Sequence, residues 1–336
     1  MRNSSRQSII AAVAVIITAA AFAGVARADT EGLPILPITV FQAPSYSVWL
    51  PTIITEKRLD ARRGFRLKVT EKPGTAAYID LAQGADLVCF CVAPQTFTQF
   101  VAQGAAVTLL FNVFSHTNLV AVTDPSINSV ASLQDKTIAA NTATGQWAVS
   151  AFLLKQAGLD LSKVKIRSAI GSGGAIAELA LGRVDAILPG PVEVASLQTQ
   201  TSQFHVFSIF DKAAWQAVAP GPGIPNILFG AQRKWWDNPA NKDISRRFYA
   251  AVQDAAAFAV AHPEETAAIV GARTKMPKAA VLYTLTHFPE VINIRPASEF
   301  KPAIAFLTQK LMPEAGQLEH ALTDAEVNAY VSDFTP

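Results

Sequence analysis

The turn Asn141-Thr142-Ala143-Thr144-Gly145-Gln146-Trp147 follows a strand-like run, Thr137-Ile138-Ala139-Ala140, and opens an apolar helical pattern that stops at Gly158. Three chemistries use parts of such a set. A phosphate cradle takes the glycine and its backbone N–H groups but adds a lysine. A nucleophile loop takes the hydroxyls but adds a neighbouring base. A helix N-terminus facing a ligand needs only what is present, because its first N–H groups are free and carry partial positive charge. Without lysine or base the turn reads as the third kind. Thr142, Thr144 and the N–H groups of Gly145 and Gln146 are its donors.

Seven further turns sit where strands end or the chain changes direction: Gln42 to Ser47, Gly74-Thr75, Ala93 to Thr96, Ser115 to Asn118, Gly171 to Gly174, Pro189 to Pro191, and Gly223 to Asn226. Like the first, they contain no Asp, Glu, Lys or Arg, and His116 is their only ionisable imidazole. Caps and turns draw on Ser, Thr, Asn and Gly whatever their function. A whole ring without charge nevertheless suits a cleft that holds a neutral polar solute or an anion by hydrogen bonds alone. A cation finds no compensating charge in it. Trp49 and Trp147 each follow one of these turns. They either sandwich a flat ligand or pack within their own surroundings.

Catalytic patterns are missing. The chain has no G-x-S-x-G elbow, no H-E-x-x-H and no glycine-lysine phosphate loop, and Gly171-Ser172-Gly173-Gly174 lacks the dinucleotide spacing. Its five histidines are scattered. Turns without carboxylates supply no acid–base pair. We therefore expect a binding protein, not an enzyme, with neither metal nor cofactor.

The elements that must carry these turns alternate. Short apolar runs such as Ile38–Phe41, Asp86–Val92, Val107–Val113 and Lys136–Ala140 are separated by helical segments of about ten residues, the signature of βαβ units and parallel sheets. Past residue 226 long helical stretches dominate. Two α/β lobes follow from this order: residues 29–117 with 226–336, including the C-terminal helices, form the first, and residues 118–225 the second. Two crossings join them as a hinge, and the turns at the carboxyl ends of the strands face the cleft.

The first 28 residues read as an export signal. Arg2 and Arg6 precede an apolar run from Ile9 to Val25, and Ala26-Arg27-Ala28 has the A-x-A cleavage pattern. Cleavage after Ala28 removes three of the 28 basic residues and none of the 26 acidic ones, leaving a net charge of −1. No basic tract remains for nucleic acid. Cys89 and Cys91 share one face of a strand, with Cα atoms roughly 6.5–7 Å apart if it is extended, so two buried thiols are expected rather than a disulfide.

Four elements in order resemble the periplasmic solute-binding proteins of ABC importers for sulfonates, taurine, nitrate and thiamine precursors. They are Leu81-Ala82-Gln83-Gly84-Ala85-Asp86, Val130-Ala131-Ser132-Leu133-Gln134-Asp135-Lys136-Thr137-Ile138-Ala139, Ala157-Gly158-Leu159-Asp160-Leu161-Ser162-Lys163-Val164 and Leu181-Gly182-Arg183-Val184-Asp185-Ala186. The resemblance spans residues 36 to 275 and implies a type II periplasmic-binding-protein fold, each lobe a mostly parallel sheet flanked by helices. It implies a monomer in the periplasm that captures a small organic solute and hands it to a membrane permease. Ligand contacts are implied at Ser45, Tyr46, Ser47, Pro94, Gln95, Thr142, Thr144, Gly145, Ser172, Pro189 and Asn226. Gln146, His116, Trp49 and Trp147 complete the candidate set. The absence of charge in the turns favours a sulfonate or carboxylate, aromatic or aliphatic, as ligand. A pyrimidine-precursor or menaquinone-pathway enzyme on the same fold, or a binding protein feeding a sensor, is the alternative.

Overall fold

Val88-Cys89-Phe90-Cys91-Val92 is buried at all five positions, and its side chains divide between two faces. Val88 and Phe90 enter one apolar cluster, Cys89 and Cys91 another. This strand is therefore central in its sheet, with helices on both sides. The computed structural model describes residues 32–336 apart from 143, 170, 199 and 202; the expected signal peptide lies outside the described residues.

The first sheet has six strands: β1 (Ile35–Phe41), β2 (Arg66–Lys72), β3 (Val88–Val92), β4 (Val107–Ser115), β10 (Pro225–Gln232) and β11 (Ile292–Pro296), in the order β11-β4-β10-β3-β1-β2. The second has five: β5 (Leu119–Val122), β6 (Thr137–Ala140), β7 (Lys165–Ser168), β8 (Ala186–Ile187) and β9 (His205–Ser208), in the order β7-β6-β8-β5-β9. Both sheets are mixed rather than mostly parallel. β1 pairs in parallel with β2 and β3, and β6 with β7 and β8, as βαβ units require. The antiparallel pairs arise at the crossings. The chain leaves the first sheet along β4 and returns along β10 beside it, so the two run in opposite directions.

The helices that matter for the site are α1 (Trp49–Glu56), α2 (Pro94–Ala102), α3 (Gly145–Gln156), α4 (Gly171–Ala180), α5 (Pro191–Leu197), α6 (Pro239–Ala261) and α7 (Lys301–Phe306). One face of the first sheet packs against α1 and α6 through Ile53, Phe90, Phe111, Phe229 and Phe248. Its other face holds Phe97, Leu109, Leu228 and Tyr330. In the second sheet alternate residues again part: Ile138 and Ala186 face α3, while Ala139 and Ile187 face α4.

Two expectations change here. The cysteine Cα atoms stand 5.2 Å apart, closer than in an extended strand, and the sulfurs are joined as a disulfide. β10 shifts register opposite this stretch, between Leu228 and Gly230. The C-terminal helices do not all pack on the first sheet. Phe300 and Ile304 do, but Ala303, Leu307, Leu311 and Met312 enter the cluster of the second sheet. That cluster needs them because its strands are short and partly alanine; Phe306 packs 5.1 Å from Phe152 and 5.7 Å from Trp215, between ring centroids.

Candidate functional site

The turn after β1 is folded by its own serines. Ser45 Oγ accepts from the Ser47 N–H at 3.2 Å. Buried Ser47 Oγ accepts from the Phe41 N–H at 3.0 Å and donates to its carbonyl at 3.3 Å. These hydroxyls are engaged locally, and what they present is Tyr46. Its ring stacks on Phe114 at 5.5 Å and meets Trp49 edge-on at 5.1 Å. Its hydroxyl accepts the Val192 N–H of α5, from the other sheet, at 3.2 Å. Burial, then the charge of Glu193, push the Tyr46 phenol well above its ordinary range; the Val192 N–H acts the other way. Trp49 is 1% exposed, and its indole N–H points to Met276 Sδ at 3.3 Å. It is a core residue, and the pairing of two tryptophans across a cleft does not form.

Pro94 starts α2 and is buried there. Gln95, next to it, is 6% exposed and reaches the first crossing: its Nε2 donates to His116 Nε2 at 2.8 Å and lies 3.5 Å from Asn226 Oδ1. An accepting Nε2 leaves the His116 ring proton on Nδ1. Burial lowers the His116 pKa to about 4, so the imidazole is neutral at pH 7. The two crossings are tied at the same place. The His116 N–H donates to the Ile224 carbonyl at 3.0 Å, and Asn293 Nδ2 donates to Ser115 Oγ at 3.0 Å and to the Pro222 carbonyl at 3.3 Å.

From the second sheet comes the turn after β6. Thr144 caps α3: its Oγ1 accepts the Trp147 N–H at 3.2 Å and donates to the Asn141 carbonyl at 2.8 Å. That hydroxyl is a structural cap rather than a free donor. Thr142 is exposed, and its carbonyl, like that of Thr144, accepts from Gln317 Nε2. Gly145 marks a close approach of the two lobes. A Cβ there would stand 2.7 Å from Gln95 Cγ and 2.8 Å from the Gln95 carbonyl oxygen.

Two adjoining spaces lie along this seam. The larger, ≈ 240 Å³, sits over the carboxyl ends of the second sheet and is walled by Ala139, Thr144, Gln146, Trp147, Ile176 and Pro189, among others. The smaller, ≈ 100 Å³, includes Tyr46, His116, Asn118 and Asn226. Gln146, Pro189, Gly190 and Glu193 belong to both. The structure thus gathers Tyr46, His116, Thr144, Gln146, Trp147, Pro189 and Asn226 around one cleft, with Gln95 supporting it from behind. It leaves Ser45, Ser47, Trp49, Pro94, Thr142 and Gly145 off its walls. The Ser172 side chain lies outside the described residues.

Glu193 is the residue that sequence reasoning missed. The turn Pro189 to Pro191 has no charge, but Glu193 stands in the first turn of α5, and helical side chains lean toward the N-terminus. Its carboxylate therefore comes back over the turn and into both spaces. Charge in the cleft was legible had each first helical turn been counted with its loop.

Two α/β lobes joined by paired crossings, with a ligand-sized space at their seam, define the periplasmic-binding-protein fold. Similar structures carry this frame. The aliphatic sulphonate-binding protein SsuA of Escherichia coli matches with a TM-score of 0.71 at 16% identity, over 90% of this chain and 92% of that one. The alkanesulfonate-binding protein SsuA of Xanthomonas axonopodis pv. citri, bound to MOPS, matches with 0.66 at 17%, over 87% and 97%. The nitrate-binding protein NrtA of Synechocystis PCC 6803 matches with 0.58 at 15%, over 89% and 85%. A family model, described as NMT1/THI5 like, matches residues 61–266, and the chain belongs to that family. No curated protein matches it. These structural neighbours are binding proteins, not enzymes.

Proposed function

We propose that this chain is the exported substrate-binding component of an ABC importer, trapping a small organic solute between its lobes and delivering it to a membrane permease. The observation that carries the reading is the cleft itself. Its walls come from both sheets, and the lobes touch around it through Tyr46 with Val192 and through Gly145 with Gln95. A ligand reaching both walls binds the closed form more tightly, which is what closure on a solute requires. Export and cleavage after Ala28 belong to the same reading, as does action as a monomer without a cofactor.

The test is native mass spectrometry on protein purified gently from the periplasmic fraction of an expressing cell. A polypeptide beginning at Asp29 and retaining one small molecule is expected. A chain that keeps Met1, or one that neither retains nor binds any small molecule, would overturn the reading.

A further inference from the structure

We infer that the solute presents a cationic N–H group, an ammonium or amidinium on an apolar or aromatic body, to Glu193; this rests on the binding-protein reading above and names the ligand class of that site. Glu193 is the one charged side chain among the described residues lining either space. It is half-buried, and among the described residues its carboxylate has neither a hydrogen-bond nor an ion-pair partner. A carboxylate on a cavity wall with no partner inside the protein is placed to pair with a donor or cation of the solute.

Two of the donors near Glu193 are engaged within the protein. The Thr144 hydroxyl caps α3, and the Val192 N–H at the start of α5 goes to Tyr46. His116 carries no charge at pH 7, and no Lys or Arg lines the spaces. A sulfonate or carboxylate would sit beside Glu193 with only neutral donors, and no cation, to offset the repulsion. The expectation of an anionic ligand rested on turns without charge, and Glu193 removes that ground.

Another role for an acid in a first helical turn is to reach back to the N-cap N–H of its own helix. Glu193 makes no such bond among the described residues. Gly190, the N-cap, leaves room for it instead: a Cβ at that position would stand 2.7 Å from Glu193 Oε2 and 3.5 Å from the Tyr46 hydroxyl. The glycine thus opens the cavity to both polar groups. Beyond them, Trp147, Ile176 and Leu188 supply an apolar wall. Acid at one end and apolar surface at the other match an organic cation with a small hydrophobic body.

Ring-matched probes test this on the mature chain: benzamidinium and benzylammonium against benzoate and benzenesulfonate, followed by tryptophan fluorescence and thermal shift. The cations should bind and raise the melting temperature, and Glu193→Gln should weaken them at least tenfold. Glu193→Asp, which keeps the charge, should still prefer cations, so a folding defect in one variant does not hide the result. Tighter binding of either anion, or benzamidinium binding unchanged in Glu193→Gln, would overturn the assignment. Mass analysis of a retained molecule separates the two proposals. An anion in the cleft sinks the cation assignment and leaves the binding-protein reading standing, whereas a chain that binds no probe and retains nothing ends both.

Discussion

Thr144 and Gly145 occupy adjacent positions and do different things. Thr144 satisfies an orphan N–H of α3. Thr144→Ala should therefore lower stability by about 1 kcal/mol, read from urea denaturation, and weaken a ligand only indirectly. Gly145 has no room for a side chain, because Gln95 from the other lobe packs against it. Gly145→Ala places a methyl within 3 Å of a backbone carbonyl, which cannot swing aside as a side chain would. Helix propensity favours Ala there, so the free protein should keep its melting temperature. The lobes should instead stand further apart in small-angle scattering, with ligand affinity down at least tenfold. Unchanged scattering on saturation with ligand would show that this contact does not belong to the closed state. At this scale the sequence was informative about residue type and silent about partner. The Thr144 cap is local, made with Asn141 and Trp147, but that Gly145 sits on Gln95 depends on a contact 50 residues away, which no local pattern encodes.

Elements were more legible than residues, because periodicity records burial. The buried run of β3, the alternation of strands with helices and the two crossings all follow from apolar spacing and glycine stops. What escaped has physical reasons as well. β11, Ile292–Pro296, is an edge strand of intermediate burial ending in proline, so it carries neither a clean alternation nor a buried run. α6 begins at Pro239, capped by Asn238 Oδ1 on the Ala240 N–H at 3.0 Å, five residues before its apolar face begins at Ile244. The C-terminal segment divides its apolar residues between two clusters, and a one-dimensional pattern cannot say which sheet receives which. Leu307 tests that division. It is fully buried in the second sheet's cluster, so Leu307→Ala should cost about 2–5 kcal/mol. The loss should appear as faster hydrogen exchange in β5, β6 and α3, while β1 and β3 keep their protection. Equal loosening of both sheets would mean that the segment belongs to neither in particular.

For the molecule as a whole, the position of His116 makes closure depend on pH. The imidazole stands at the first crossing, walled in by both lobes, with its pKa lowered to about 4 by that burial. When the lobes part it meets water and returns toward its ordinary value near 6.5. Between pH 6.5 and 4 the open form therefore binds the extra proton and the closed form does not, so acidification favours opening. The difference amounts to about 3 kcal/mol when complete, comparable to the differential binding that holds a two-state lobe equilibrium closed. Parting the lobes relieves the imidazole without unfolding either core, so the transition should precede global acid unfolding. Scattering should report an expanded form as pH falls from 6.5 toward 4, while circular dichroism stays constant and ligand affinity declines over the same interval. Glu193 and Tyr46 face the same space. His116→Asn isolates the imidazole: it keeps an acceptor for Gln95 Nε2 and removes the titration. In that variant the decline between pH 6.5 and 5 should vanish. A decline of the same size would take the pH dependence away from the imidazole and leave His116 as a plain support for Gln95.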